Sequence, residues 1–124
     1  MAHLRTLKTA NLVLGALSAL GVLFGLIFVV AGLFGSVEGA GGGLLFVLYG
    51  VIAMVLFGGL SYAHVYAGFM VTAGRARNLQ SALATMHLAN FPLGTLYALY
   101  AFWVCWIDPK TTAIFDRPGA RRVS

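Results

Sequence analysis

Charge is what this sequence has least of. Of its 124 residues 9% are charged and 60% are hydrophobic, against about 25% and about 45–50% in ordinary soluble domains. A chain this short buries only about two-thirds of its surface on folding. Its interior is too small to hide that much apolar surface from water. A soluble enzyme, a nucleic-acid-binding domain and a disordered tail are thereby excluded, and an integral membrane protein remains. Carboxylates are scarcer still. Glu38, Asp108 and Asp116 are the whole set, and none lies within an apolar run. That argues against proton-coupled export through a membrane carboxylate, and it leaves no Ser-His-acid or paired-carboxylate constellation. The single cysteine, Cys105, has no partner for an internal disulfide and reads as a small apolar packing residue. The glycine run Gly39 to Gly43 lacks the Lys-Ser/Thr of a phosphate loop, and no strand precedes it.

What the sequence does have is three long stretches free of Asp, Glu, Lys and Arg: 9–37, 39–74 and 78–107. A spanning helix needs about 20 apolar residues. In lipid the backbone must satisfy its own hydrogen bonds, so the spans are helices or a closed barrel. The run Leu23-Phe24-Gly25-Leu26-Ile27-Phe28 does not alternate apolar with polar, so helices are expected. The net charge of +5 comes from basic residues at the ends of the apolar runs, where cations flank membranes; nucleic acid is not an expected partner. Arg5 and Lys8 ahead of an apolar run resemble the start of a signal peptide, but Leu12 to Phe34 is longer than the 7–15 residues of a signal core. A retained first helix is the reading.

The spacing predicts helices over about 11–34 and 44–73, separated by the glycine-rich loop around Glu38, with a turn at 74–78. The second helix must tilt, protrude or kink near Gly58-Gly59. The third stretch is interrupted by Asn90-Phe91-Pro92-Leu93-Gly94-Thr95, because proline removes a backbone donor and disfavours helix in the residue before it. Either a short hairpin follows, with arms over about 79–91 and 95–107, or a single kinked third span. Arg5 and Lys8, the Arg75/Arg77 turn and the basic tail 108–124 all prefer the cytoplasm. An inside tail after an inside turn requires an even number of passes, which favours the hairpin and puts both termini in the cytoplasm. Trp103 and Trp106 stand where an interfacial belt is expected. The fold class is therefore an all-α integral membrane domain of four helical segments covering 1–124.

The element Phe91-Pro92-Leu93-Gly94-Thr95, followed by Tyr100, Trp103-Val104 and Phe115 and preceded by a basic turn, resembles the C-terminal hairpin of a group of small, mostly uncharacterised bacterial membrane proteins. The resemblance covers about 74–115. It implies a four-helix protein of the bacterial inner membrane and implies no activity.

At 100° per residue, Ser18, Gly21, Gly25 and Gly32 share one face of the first helix. Gly21 and Gly25 form a GxxxG pair of the kind that lets helices approach closely. On the second helix Gly50, Ala53, Phe57, Ser61, His64, Gly68 and Thr72 share a side. On the third, Gln80, Leu83, Ala84, His87 and Phe91 do so, with Asn90 nearby. His64 lies 12 residues before the centre of the turn near residue 76, and His87 lies 11 after it. An antiparallel pair would place them at one depth, both facing protein. Two such histidines could hold a haem axially, or share a metal or a proton. They could equally be structural, with Ser61, Tyr62, Gln80 or Asn90 as hydrogen-bond partners. Pro92, Gly94 and Thr95 mark the helix break. The leading expectation is a non-catalytic accessory or scaffold subunit, without cofactor or metal, whose partners are lipid and other membrane proteins or itself. The alternative is a small electron-transfer subunit with b-type haem between His64 and His87, and a third reading is an oligomeric channel or transporter.

Overall fold

A computed structural model describes residues 2–37, 39, 41–90 and 92–117. Glu38, Phe91 and the tail arginines Arg121 and Arg122, which figured in the topology and break arguments, lie outside them. The described residues are all-α. Five helices run α1 (Ala2–Val37), α2 (Gly43–Val71), α3 (Arg77–His87), α4 (Leu93–Phe102) and α5 (Pro109–Phe115), with a π-helical turn at Trp103–Ile107 between the last two. Two of them, α1 and α2, are long and apolar enough to cross a membrane.

The first helix starts nine residues before the expected Asn11. The expectation followed hydropathy, and residues 2–10 are not apolar enough to join a span. They are nevertheless free of glycine and proline and carry a helical stripe. Leu4, Leu7 and Asn11 are buried at the i, i+3, i+7 spacing of one face. The second helix passes through Gly58-Gly59 without interruption. Beyond Val71 the chain turns at Gly74, whose φ is +69°, a conformation glycine adopts without penalty. A Cβ there would also fall 2.7 Å from Ile114 Cγ2.

The third stretch is broken, as the hairpin reading expects. A single kinked helix is not what forms: α3 stops at His87, Leu88 to Asn90 and Pro92 lie in neither helix, and α4 begins at Leu93. The freed carbonyl of Leu88 accepts from Thr95 Oγ1 at 2.8 Å, and Gly94 N–H donates to Asn90 O at 2.7 Å. Gly94 is required here, since a Cβ would meet the His87 carbonyl at 2.6 Å. The arms differ from the expected 79–91 and 95–107: α3 runs Arg77–His87, starting directly after Ala76, whose φ is +61°, and α4 runs Leu93–Phe102 and passes into the π turn Trp103–Ile107.

The segment expected as a plain basic tail contains α5, so the helices number five and not four among the described residues. The signal was present in the sequence. Asp108 caps α5 by accepting from Thr111 N–H at 3.1 Å and Thr111 Oγ1 at 2.9 Å, and Pro109 follows in the first helical turn, the position proline favours. Burial pulls the Asp108 carboxyl up, but these two donors, with His3 nearby and the Lys110 amide, outweigh it and leave it below the ordinary value. The Val104 carbonyl, in the π turn, also lies against Thr111 Oγ1 and shares that hydroxyl's one hydrogen with the Asp108 carboxylate.

Two compact units make up the chain: Leu14–Tyr62, and Met1–Val13 with Ala63–Ser124. In the first, α1 and α2 run antiparallel and their glycines meet. A Cβ on Gly50 would fall 2.5 Å from the Gly25 carbonyl oxygen, and one on Gly25 would fall 2.7 Å from that of Gly50. Gly21 sits against the Phe57 ring and Gly32 against Gly43 and Val47. Ser18 is buried and Ala53 half-buried, and Ser61 Oγ donates to Gly15 O at 2.8 Å. The small-residue face of α1 is thus filled by α2 of the same chain. In the second unit Leu4, Leu7, Val71, Ala84, Ala98, Ala101, Val104, Cys105 and Phe115 form the apolar core.

Candidate functional site

Polar side chains from four helices of the second unit meet in its interior. α1 supplies Asn11, α2 supplies His64, α3 supplies Gln80 and His87, and α4 supplies Tyr97. Asn11, His64 and Gln80 are each 0% exposed, while His87 and Tyr97 are half-buried. Gly68, one turn after His64, lets α1 come this close: a Cβ on it would lie 3.2 Å from Asn11 Cβ and 3.3 Å from the Lys8 carbonyl.

The orientation of Asn11 follows from its neighbours. The Leu7 carbonyl can only accept, so Nδ2 faces it at 2.9 Å, and the same Nδ2 donates to Gln80 Oε1 at 2.9 Å. Gln80 Nε2 then donates to Tyr97 Oη at 2.7 Å, and Tyr97 O–H donates to Asn11 Oδ1 at 2.9 Å. These three side chains close a ring of hydrogen bonds. The second lone pair of Oδ1 faces His64 Nδ1 at 3.0 Å. Across from it, His64 Nε2 meets His87 Nε2 at 2.9 Å. Asn90, exposed in the turn after α3, brings Nδ2 to 3.5 Å from His87 Nδ1. The imidazole rings are 5.0 Å apart at 49°. Tyr97 stands beside both, 6.1 Å from His64 and 5.3 Å from His87. Among the described residues no buried side-chain nitrogen or oxygen lacks a partner.

The histidines therefore sit at one depth and touch. Of the partners the sequence suggested for them, Asn90 reaches His87 at the long distance above. Gln80 turns instead to Asn11 and Tyr97, and Ser61 to Gly15. Asn11 and Tyr97 were missed. Asn11 reads as the mere start of the apolar run, yet a carboxamide among so many apolar neighbours was itself a signal, since an uncharged polar group in such a segment must find a partner. Nothing in the local pattern distinguishes Tyr97 from the other tyrosines.

The residues placed at an interface divide. Arg75 is exposed. Arg77 turns along the protein: Nε donates to the Cys105 carbonyl at 2.7 Å, Nη1 pairs with Asp116 at 3.1 Å, and the guanidinium lies 4.3 Å from the Trp106 ring centre. Trp106 Nε1 donates to Ser81 Oγ at 2.8 Å. Trp103 packs edge-on against His3, ring centres 5.0 Å apart.

Chemically the pair offers two nitrogen ligands facing each other, each with its outer nitrogen on an asparagine side chain. Metal-binding histidines are commonly oriented by such outer hydrogen bonds. No group of three or more His, Cys, Asp or Glu that could hold a metal ion occurs among the described residues, so a tetrahedral protein-only site is not what these side chains build. The chain matches no protein-family model, and neither a curated protein nor a solved structure matches it.

Proposed function

We propose that the chain is a small membrane-embedded electron-transfer subunit that holds b-type haem between His64 and His87. The observation that carries this reading is the convergence of the two Nε2 atoms, 2.9 Å apart, from helices that sequence spacing alone brings to equal depth. Were haem bound, His64 and His87 would hold it through their Nε2 atoms and it would supply one-electron exchange; those atoms now touch at 2.9 Å, so the two rings and the side chains around them would have to part to admit it. His87 closes α3 next to the turn, where a short helix end can give. Tyr97, beside both rings, would be a neighbour of the bound group. The test is optical. Protein expressed with a haem precursor and purified in detergent should show a Soret band, absent in His64→Ala and in His87→Ala. A wild-type protein that stays colourless even after reconstitution with haem overturns the reading.

One observation favours the accessory role instead. Large apolar side chains cover the outside: Phe34 is 68% exposed, Leu44 75% and Leu93 80%. Lipid or another membrane protein must cover them, and co-purification in mild detergent would name the partner.

The location we propose is the bacterial inner membrane, by the Phe-Pro-x-Gly-Thr resemblance, with both termini in the cytoplasm, by the basic residues. Cys105 is 1% exposed, so a cysteine appended after Ser124 can be labelled with little background. Intact cells treated with an impermeant maleimide should leave it unlabelled. Labelling from outside would overturn the cytoplasmic placement of the C-terminus.

A further inference from the structure

The hydrogen-bond geometry points to Asn11 as a positioning residue that makes the histidine pair asymmetric, leaving His64 with a bare Nε2 and His87 with the hydrogen that lies between them. Leu7 O takes Asn11 Nδ2, so Oδ1 is what His64 Nδ1 meets. An amide oxygen only accepts, so the hydrogen is on Nδ1. A neutral imidazole with Nδ1–H has a lone pair at Nε2. The Nε2 of His87, 2.9 Å away, must therefore donate, and its own Nδ1 is left as an acceptor facing Asn90 Nδ2. The ring through Gln80 and Tyr97 uses the remaining capacity of Asn11, while the Leu7 carbonyl by itself holds the amide in its orientation. Asn90 is exposed and has no such ring.

The two histidines are then not equivalent as ligands. His64 is closer to binding: its Nε2 carries no hydrogen and only accepts the one from His87. His87 must first shift the hydrogen from Nε2 to Nδ1 of the same ring, with water carrying it and no net proton gained or lost. Asn90 must turn its oxygen toward the new Nδ1–H. This order of readiness rests on the haem reading, whereas the tautomers themselves do not.

Nitrogen NMR of the haem-free protein, labelled with ¹⁵N-histidine in detergent, decides it. The expected spectrum has His64 protonated at Nδ1 and bare at Nε2, His87 the reverse, and a scalar coupling across the Nε2–H···Nε2 bond. Asn11→Asp, which keeps an oxygen opposite Nδ1, should retain the pattern. Gln80→Met, which opens the ring but leaves Asn11, should retain it too. Asn11→Ala should let His64 divide between its two tautomers, with His87 following. A purely structural role would make Gln80→Met and Asn11→Ala behave alike. Wild-type His64 carrying its hydrogen on Nε2 overturns the inference without any variant, as does an Asn11→Ala protein whose His64 stays wholly Nδ1-protonated. Absence of a Soret band with the tautomer pattern intact would defeat only the haem reading.

Discussion

Replacing Gly50 with leucine should cost the protein at least the upper end of the roughly 1–3 kcal/mol typical of overpacking, read as a lower midpoint in an SDS-unfolding titration of the detergent-purified chain. The first side-chain carbon would lie 2.5 Å from the Gly25 carbonyl oxygen and near the Val29 backbone. These are backbone atoms of a long helix, so no side chain can rotate out of the way, and α1 and α2 must separate along this stretch. Gly59→Leu is the matched comparison. A Cβ at Gly59 meets nothing within 4 Å, so the same chemical change on the same helix should stay within about 0.5 kcal/mol of wild type. Equal effects at the two positions would mean that helix propensity or detergent binding, and not close packing, governs stability here.

Asn11→Ala is expected to be the second severe change. It strips partners from His64 Nδ1, Tyr97 O–H, Gln80 Oε1 and the Leu7 carbonyl at once. A buried group left without its partner costs about 1–3 kcal/mol, but interhelical bonds measured in membranes average only about 0.6 kcal/mol, because the unfolded chain in lipid also finds partners. Four bonds on the smaller scale sum to a little over 2 kcal/mol. The expected loss is therefore about 2–4 kcal/mol by the same titration. Ser61→Ala removes a single donor to Gly15 O and leaves that carbonyl in its helix, so it should lose about 1 kcal/mol or less. An Asn11→Ala loss no larger than that of Ser61→Ala would show the polar cluster to be weakly coupled to the fold.

Much of this arrangement was legible in the residues. Apolar runs bounded by Arg5/Lys8, Arg75/Arg77 and Asp108 mark the helices, since charged groups avoid an apolar medium. Pro92 and Gly94 mark the break, since one lacks a donor and the other tolerates a close carbonyl. Counting from the turn near residue 76 sets His64 and His87 level, because rise per residue is constant in any helix. Hydropathy placed the start of α1 too late, since a helix may continue beyond its apolar part on a narrow stripe such as Leu4, Leu7 and Asn11. It also passed over α5, whose Asp108-Pro109 start is a capping signal and not an apolar one.

Other features were decided only by the packed chain. Periodicity assigns a residue to a face but does not say what the face meets, so the GxxxG pair could have bound another protein; in the structure Gly25 meets Gly50. The polar centre is more dependent still. Asn11 reaches His64, Gln80 and Tyr97 across 53, 69 and 86 positions of sequence. No local pattern encodes such distances. A hydrogen bond also needs a donor and an acceptor correctly aimed, and that aim came from a chain of choices: the Leu7 carbonyl turned the Asn11 amide, and the amide oriented the imidazole of His64. Composition and spacing determined that the histidines would lie level and face inward. Which nitrogen of each faces the other was settled by the tertiary contacts, because direction in a hydrogen-bond network belongs to the network as a whole and not to its members.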